Sequence, residues 1–366
     1  MQKKLVAVVS AVAVLAGLAL SGSAAQAVTA TSIAGKGSSF ANNALQYCLS
    51  HYDPDSNDTV SYTSTGSGTG RSEMAAGNVK WAASDGLYGA SDAQPASYTM
   101  VPILGGPVVF AYNAKSGIPA GLKLDAATVS GILKGTVNKW NSAAIKKLNP
   151  GKVLPNQLIQ VYYRTSGSGT TANLTNYLAQ SLNVTGQPAE WVANSKDLLD
   201  ASDGIAGNSA GTLAVGAFAK TTSAIIADKL QATKYSFGYF DLSDAVSAKV
   251  GQVSLKNASG QFVLPTAAAA AKFLNAQTAI VDVASQRTDG TLTIDFTKKV
   301  AGAYQLSIVS YGIAPRATGT EAGRAVHDWF TYVVNSCMPA HGAALGYVPL
   351  TGALKVTALQ QIAKIN

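Results

Sequence analysis

Short apolar runs alternate with amphipathic segments along most of the chain. The run from Val101 to Tyr112 is apolar but contains Gly and Pro, which predicts a buried strand broken by turn residues. The segment from Asp125 to Leu133 places apolar residues at helical spacing behind a capping aspartate, which predicts a helix. Ile159 to Tyr163 is predicted to be another strand. This alternation is typical of an α/β fold, in which ligands bind outside the carboxyl ends of strands.

Three further segments have the helical period, namely residues 170–182, 266–275 and 321–335. In the last of these, Trp329 and Phe330 lie on one face together with two valines, which is the pattern of a core-facing helix. No tandem domain repeat or long low-complexity segment occurs.

The first 27 residues have the pattern of a secretory leader. A basic pair precedes an apolar stretch from Leu5 to about Leu20, and Ala25-Gln26-Ala27 supplies the small residues at which a signal peptidase cleaves. A lipid-anchored leader needs a Cys just after the apolar core, where this chain has Ser23. We therefore predict an exported chain, periplasmic or secreted, that begins near Val28 and does not insert into the membrane.

The remaining chain, about 339 residues, is long enough for two domains. Two lysines lie in the leader, so the rest carries 25 basic and 19 acidic residues, and charged residues make up only 13% of the whole sequence. The basic residues are scattered, which argues against nucleic-acid binding. The surplus of basic residues raises the local concentration of anions, although the surface charge that keeps a protein in solution explains the composition equally well.

Two cysteines, Cys48 and Cys337, are candidates for one disulfide in an oxidising, exported setting. Such a bond would join the two ends of the chain, and its geometry cannot be read from the sequence. The three histidines lie far apart and show no metal-ligand spacing. We therefore expect neither a metal nor a cofactor.

A short sequence echo carries candidate chemistry. Gly-Ser-Gly-Thr occurs in residues 64–71 and again in residues 165–172, each time before a predicted helix. Helix N-termini expose unpaired N–H groups and partial positive charge, and glycine lets an anion approach the backbone. A third such start, Gly35-Lys-Gly-Ser-Ser-Phe40, precedes a predicted helix over 41–52. One such start alone is more often a cap or turn, but three together, one preceded by Arg164, favour an oxyanion site.

These motifs together resemble the periplasmic phosphate-binding proteins of high-affinity phosphate ABC transporters. The resemblance rests on the order and near-family spacing of four motifs: Gly35-Lys-Gly-Ser-Ser-Phe40, Thr65-Gly-Ser-Gly68, Trp81-Ala-Ala-Ser-Asp85 and Arg164-x-x-Gly-Ser-Gly-Thr170. The chain is also similar in part to the DING-type secreted branch, although the mature chain lacks the namesake N-terminus of that branch. The likeness is dense from about residue 33 to 182 and thinner beyond.

The resemblance implies a type II periplasmic binding protein-like fold with two hinge-connected α/β lobes. Lobe 1 is expected to comprise residues 28–112 and 306–366, and lobe 2 residues 113–305. The implied function is capture of one inorganic phosphate between the lobes by a monomer that delivers it to an ABC transporter permease. The alternative from another class is a secreted adhesion or interaction protein that retains the phosphate-binding fold.

The resemblance also implies a ligand set drawn from both lobes. The implied phosphate ligands, some through their backbone N–H groups, are Ser39, Phe40, Ser67, Asp85, Arg164, Ser168, Gly169 and Thr170. Asp92 is a rival for the acidic ligand, but the spacing from Ser67 favours Asp85. Enteric members of the family have an Asp two residues after the arginine, where this chain has Ser166. Arg164 is therefore expected to be less restrained than in those relatives.

A carboxylate among anion ligands is explained by the proton that phosphate keeps near neutral pH. That proton can be donated to Asp85, whereas fully ionised sulfate has none and would leave the carboxylate unpaired against an anion. An unsatisfied buried charged group costs about 1–3 kcal/mol or more. The aspartate thus predicts selection of phosphate over sulfate.

Catalysis is not expected. Gly207-Asn-Ser-Ala-Gly211 matches the Gly-x-Ser-x-Gly nucleophile motif, but the segment before it is acidic and turn-like where that motif needs a buried strand. No phosphate-cradling Gly-x-x-x-x-Gly-Lys-Ser/Thr loop occurs. An enzyme acting on phosphate esters is therefore the least favoured of the three functions.

Overall fold

The described chain consists of strands that alternate with helices, as the hydrophobic pattern predicts. The computed structural model describes residues 30–89, 91–165, 167–198, 218–277 and 290–365. Three sequence predictions lie outside these ranges: the leader over 1–27, Ser166 and the Gly207–Gly211 motif.

The strands are β1 (Ser32–Gly37), β2 (Thr59–Ser64), β3 (Trp81–Ser84), β4 (Tyr98–Tyr112), β5 (Lys123–Leu124), β6 (Gln160–Arg164), β7 (Phe218–Lys220), β8 (Ser236–Asp241), β9 (Gly251–Gln252), β10 (Ser254–Lys256), β11 (Phe262–Val263) and β12 (Ser307–Pro315). The helices are α1 (Asn42–Leu49), α2 (Ser67–Ala75), α3 (Ala126–Leu133), α4 (Ala143–Leu148), α5 (Gly169–Leu182), α6 (Ser223–Ala232), α7 (Leu242–Ser247), α8 (Ala267–Asn275), α9 (Glu321–Tyr332), α10 (Met338–His341) and α11 (Gly352–Ile362), with a π-helical segment, Val333–Cys337, after α9.

The long strand β4 joins the two halves of the main sheet. The order of that sheet in the described ranges is β2-β1-β3-β12-β4-β8-β6-β7, with β9 also paired to β4. Residues 98–107 of β4 pair antiparallel with β12, and residues 108–112 pair antiparallel with β8. The parallel group β1, β2 and β3 therefore lies on one side of β4, and the parallel group β6, β7 and β8 on the other. This arrangement confirms the predicted two-lobe α/β class.

β4 differs from its prediction in being one continuous strand of 15 residues. Its glycines are places of close packing rather than turns. A Cβ on Gly105 would lie 2.4 Å from a methyl carbon of Leu274, and one on Gly106 would lie 3.0 Å from the ring of Phe40. The glycines that suggested turns within this apolar run are thus present because larger side chains would not fit there.

The C-terminal helix prediction is confirmed in its buried face. Val326, Trp329, Phe330 and Val333 are all buried, although regular helix ends at Tyr332 and a π-helical turn continues it. π-helical turns are rare and usually occur as single turns within α-helices, frequently at functional sites. Here the turn ends at a cysteine.

The predicted disulfide is present between Cys48 on α1 and Cys337 at the end of the π-helical turn. The two Cα atoms are 5.7 Å apart and the residues are 289 positions apart in sequence. The bond fastens α1 to the helices near the C-terminus of the described chain. None of the described helices is long and apolar enough to cross a membrane. Within the same ranges, no group of three or more His, Cys, Asp or Glu residues is placed to hold a metal ion.

Candidate functional site

Four helix N-termini meet where the two parallel strand groups end. The three predicted starts are those of α1, α2 and α5. The fourth, which the sequence analysis missed, is that of α6, where Thr222 caps the helix by accepting from the N–H of Ile225. Because helix N-termini carry unpaired N–H groups and partial positive charge, their convergence favours binding of an anion.

The two Gly-Ser-Gly-Thr loops face each other across the cleft. The N–H of Gly68 in the first loop donates to the carbonyl of Gly167 in the second, at 2.6 Å. A Cβ on Gly169 would lie 2.5 Å from both the backbone N of Gly86 and the Oγ of Ser67. Glycine at position 169 is therefore needed for this close approach between lobes.

Arg164 lies at the carboxyl end of β6 and is only 2% exposed. Its Nη1 donates to the Oγ of Ser39 at 2.7 Å, and its Nε and Nη2 donate to the carbonyl of Thr221 at 3.1 and 2.7 Å. Burial lowers the pKa of Arg164, and Tyr239 and nearby carboxylates including Asp85 act in the opposite direction. The guanidinium is thus held in place by the carbonyl of Thr221 and reaches the loop before α1.

Asp85 follows β3 and is 4% exposed. Its Oδ1 accepts from the hydroxyls of Ser38 and Ser310, at 2.5 and 2.7 Å, and its Oδ2 accepts from the hydroxyl of Ser67 at 3.1 Å. Burial raises the pKa of Asp85, while the three hydroxyl donors and the charge of Arg164 act to lower it. The carboxylate is therefore oriented by three donors inside a buried site.

The other predicted ligands offer donors in the same region. The Ser168 Oγ accepts from the N–H of Thr171 at 3.2 Å as the cap of α5, which leaves its own proton free to donate. The Thr170 Oγ1 is buried and has no hydrogen-bond partner among the residues described. The Phe40 carbonyl accepts from the Tyr347 hydroxyl at 2.8 Å, and the Phe40 ring packs against Tyr347.

All eight predicted ligands therefore lie in one connected region. Ser39 contacts Arg164, Ser67 contacts Asp85, and Gly169 approaches Ser67 closely. Phe40 is next to Ser39 in the chain, and Ser168 and Thr170 flank Gly169.

Asp92 lies elsewhere, in an ion-pair cluster with Lys196 and Arg71. Its Oδ2 pairs with the Nζ of Lys196, accepts from the Gly89 N–H at 2.8 Å, and lies 3.5 Å from the Nε of Arg71. Burial acts to raise its pKa, but the hydrogen bonds and positive charges of this cluster lower it overall. With these partners, Asp92 is better suited to hold the lobes together than to receive a proton from a ligand.

Several residues that shape the site were missed by the sequence analysis. Ser38 and Ser310 orient Asp85, and Thr221 and Ser223 hold Arg164 and Ser39. Ser38 stands inside a recognised motif, but no pattern tells which of two adjacent serines faces the carboxylate. Ser310 is 225 residues from Asp85 in the chain. The only signal at the α6 start is a run of capping residues.

Comparison with known proteins adds a family and a fold. Residues 22–336 match the family model of the PBP superfamily domain. The phosphate-binding protein PstS of Xylella fastidiosa (strain Temecula1) is 27% identical over 332 residues, covering 89% of this chain and 83% of that protein. The phosphate-binding protein PstS of Haemophilus influenzae is 30% identical over 243 residues, covering 65% and 66%.

Two solved structures have the same fold. One is a high-affinity periplasmic phosphate-binding protein (PfluDING) bound with phosphate, with a TM-score of 0.67, 22% identity, and coverage of 89% of this chain and 92% of that one. The other is a phosphate-binding protein from Stenotrophomonas maltophilia, with a TM-score of 0.66, 19% identity, and coverage of 90% and 93%.

Proposed function

This chain belongs to the PBP superfamily, and we propose that it is an exported solute-binding protein that captures one inorganic phosphate ion between its lobes for an ABC-type importer. The relatives described above are named phosphate-binding proteins. The observation that carries the proposal is the meeting in one cleft of buried Arg164, oriented Asp85 and the Thr170 hydroxyl, which has no partner among the described residues. The Arg164 cation and the Thr170 hydroxyl donor match the oxygens of an oxyanion, and the Asp85 carboxylate can accept the proton that such an ion carries.

The donors match the oxygens of a tetrahedral anion. The Arg164 guanidinium supplies a charged fork, and hydroxyls of Ser39, Ser168 and Thr170 supply directional donors that occupy little space. The Ser67 hydroxyl donates to Asp85 and orients that carboxylate beside the anion. The N–H groups at the helix starts, including those of Phe40 and Gly169, add donors of partial positive charge. Such a set binds an oxyanion but does not by itself distinguish phosphate from sulfate.

Asp85 provides the distinction. An ionised carboxylate has about four acceptor positions, two on each oxygen. Two hydroxyls occupy Oδ1 and one occupies Oδ2, which leaves one position on Oδ2 for a proton carried by the ligand. A protonated phosphate fills that position, whereas sulfate would place an unprotonated oxygen against the carboxylate.

We also propose the lobe boundaries predicted from the sequence, residues 28–112 with 306–366 for lobe 1 and 113–305 for lobe 2. In support of a crossing in this part of β4, the strand exchanges β12 for β8 as its partner at residue 108, so that residues 108–112 of lobe 1 pair with β8 of lobe 2. The N–H of Val108 donates to the carbonyl of Leu306 at 2.9 Å, next to the second crossing. A hinge at these two crossings would let the lobes close on the ligand.

The test is phosphate binding by protein that has been unfolded, washed and refolded. Titration calorimetry should show one phosphate per chain and no heat with sulfate. The melting temperature should rise with phosphate concentration by mass action. An unchanged melting temperature in millimolar phosphate, with no heat of binding, would contradict the proposal and favour the adhesion or interaction role. A chromogenic phosphate ester tests for hydrolysis in the same preparation.

Export and assembly state are further parts of the proposal. The leader pattern supports cleavage after Ala27 and a periplasmic or secreted location, and mass spectrometry of the mature N-terminus tests this. A site built from both lobes of a single chain supports a monomer, which light scattering would test. Binding to an importer permease, the remaining partner, is open to a pull-down with and without phosphate.

A further inference from the structure

Two aspartates beside Arg164 have no place in the ligand set. Asp241 ends β8 and is fully buried, and Asp244, in the first turn of α7, is 7% exposed. The backbone N–H of Asp244 donates to the Oδ1 of Asp241 at 2.9 Å, so the two acids are neighbours, and the charges of both act on Arg164. A pair of buried acids is therefore placed next to the one buried cation of the proposed site.

The two aspartates also contact elements on the far side of the cleft. The Nδ2 of Asn43 on α1 donates to the Oδ1 of Asp244 at 2.8 Å. The hydroxyl of Tyr347 lies 3.3 Å from the Oδ1 of Asp241. With the proposed boundaries, Asn43 and Tyr347 belong to lobe 1 and both acids to lobe 2, so these contacts exist only when the lobes are closed.

The hydrogen bonds around Asp241 are incomplete without a proton on the acid pair. Its Oδ1 accepts from the N–H of Asp244 at 2.9 Å, but its Oδ2 is buried with no partner in the part of the chain that the structure describes. The Tyr347 hydroxyl has one proton, and it is nearer to the Phe40 carbonyl, at 2.8 Å, than to Asp241. A proton on the Asp241 carboxyl supplies the missing donor, to Asp244 or to Tyr347.

The surrounding charges are mixed. Burial raises the pKa of Asp241, and the negative charge of Asp244 raises it further. Burial also raises the pKa of Asp244, with Asp228 on α6 acting in the same direction and Arg164 in the opposite one. Burial raises the pKa of the Tyr347 hydroxyl too, so Tyr347 is neutral here. Two neighbouring ionised carboxylates repel each other, so a single proton shared between Asp241 and Asp244 removes this repulsion.

We propose that Asp241 and Asp244 share one proton when the lobes are closed on phosphate and lose it when they open, so that phosphate capture takes up a proton. The inference rests on the proposed function. Opening would break the contacts to Asn43 and Tyr347 and admit water, which solvates both carboxylates. On closure, one proton from solvent binds to the Asp241 carboxyl, and no other covalent bond changes.

The bound anion strengthens this coupling. The positive charge of Arg164 acts on Asp244, and a phosphate oxygen against its guanidinium offsets part of that charge. A second negative charge on the acid pair then costs more, which favours the protonated form. Asp241 is thus a positioning residue, because Tyr347 lies between it and the Phe40 carbonyl and the adjacent N–H of Phe40 is a proposed ligand.

The test counts protons by titration calorimetry with phosphate in buffers of different ionisation enthalpy, at a pH above the second pKa of phosphate. The wild type should take up a measurable fraction of a proton, up to one per phosphate. Asp241→Asn should lose this uptake, with Asp244→Asn as the second variant if the first does not fold. Asp55→Asn, which removes an exposed acid that is not among the charges acting on the pair, should match the wild type.

A second measurement needs no variant. Coupling to one proton predicts that the phosphate affinity of the wild type falls with rising pH, by up to about tenfold per pH unit. No proton uptake by the wild type, or equal uptake by the wild type and Asp241→Asn, would overturn the inference while leaving phosphate binding intact. Absence of phosphate binding by the wild type would overturn the proposed function, and this inference with it.

Discussion

The Nη1 of Arg164 donates a hydrogen bond of 2.7 Å to the Oγ of Ser39, and this contact joins the end of β6 to the loop before α1. Two further donors of the guanidinium, one on Nε and one on Nη2, are held by the carbonyl of Thr221, which leaves one N–H on each of Nη1 and Nη2 for a ligand. The arginine is therefore restrained by a backbone carbonyl and not by the Asp that enteric relatives place two residues later. Its Nη1 is already directed at the loop before α1.

Replacing Arg164 with Lys should weaken phosphate binding by about 10- to 100-fold, because the charge stays while the second donor of the fork is lost. Hydrogen bonds to charged groups contribute about 1.5–3 kcal/mol, which corresponds to that range. Titration calorimetry would measure it. The control, Lys229→Arg at an exposed position of α6, should leave the affinity unchanged, and a loss below about twofold for Arg164→Lys would show that the fork is not used.

Much of the fold was predictable because its signals are local. The helix that Asp125 caps, the helix after Thr170 and the buried face of α9 follow from side-chain spacing within one segment. The pairing of β12 with β4 does not, because it joins segments about 200 residues apart and no local pattern specifies it. The continuity of β4 was missed since Gly can mark close packing as well as a turn.

The residues of the candidate site were likewise predictable where their signals are local. Two of the three proposed anion-binding motifs were visible as a sequence echo, and the structure brings the three close to one another. Ser310 and Ser223 were not visible, because each acts through a contact with a residue more than 180 positions away. Their role depends on tertiary geometry, which a single sequence does not display.

Replacing Asp85 with Asn should reduce discrimination against sulfate. The amide is nearly isosteric, but it can donate to a fully ionised oxygen where the carboxylate could only accept. We expect weaker phosphate binding and measurable sulfate binding by calorimetry. Asp92→Asn is the matched control and should keep sulfate excluded. If Asp92→Asn, and not Asp85→Asn, admits sulfate, the acidic ligand has been assigned to the wrong residue.

Replacing Gly169 with Ala should impair closure of the lobes. The added Cβ would lie 2.5 Å from both the Gly86 nitrogen and the Ser67 hydroxyl, so the two loops must separate. Overpacking of this kind costs about 1–3 kcal/mol, which predicts a 5- to 100-fold loss of phosphate affinity. Gly260→Ala meets no atom within 4 Å, although its φ of +83° strains an alanine. It should lower stability without changing affinity, and equal affinities for the two variants would contradict the role of Gly169.

Removing the Cys48–Cys337 disulfide should destabilise the protein without altering the chemistry of the site. The bond closes nearly the whole described chain, and native disulfides of this kind contribute about 2–5 kcal/mol. The double variant Cys48→Ala/Cys337→Ala should therefore melt at a lower temperature and unfold at a lower denaturant concentration. Its phosphate affinity, measured below the melting transition, should equal that of the wild type. A reductant should reproduce the change in the wild type and have no effect on the variant.

The ligand-free protein should show opposite pH effects at two buried aspartates. Burial raises the pKa of Asp85 above its ordinary value of 3.8, so its ionised form disfavours the folded state. That cost is absent below pH 3.8 and grows as pH rises through the folded-state pKa, so Asp85→Asn should stabilise the protein at neutral pH and lose this advantage in acid.

At Asp58 burial acts to raise the pKa, but hydrogen bonds from Ser56, the Thr31 N–H and Arg324 lower it overall. Ionised Asp58 therefore stabilises the folded state above pH 3.8, and this contribution is lost as pH falls through its lowered pKa. Asp58→Asn should destabilise the protein at neutral pH, with a difference from wild type that shrinks in acid. Urea unfolding of both variants and the wild type across the acid-to-neutral range would show the two differences converging toward zero from opposite signs. Differences of the same sign at neutral pH would mean that Asp85 is stabilised by its three hydroxyl donors more than it is penalised by burial, and that its carboxylate is fully compensated before any ligand arrives.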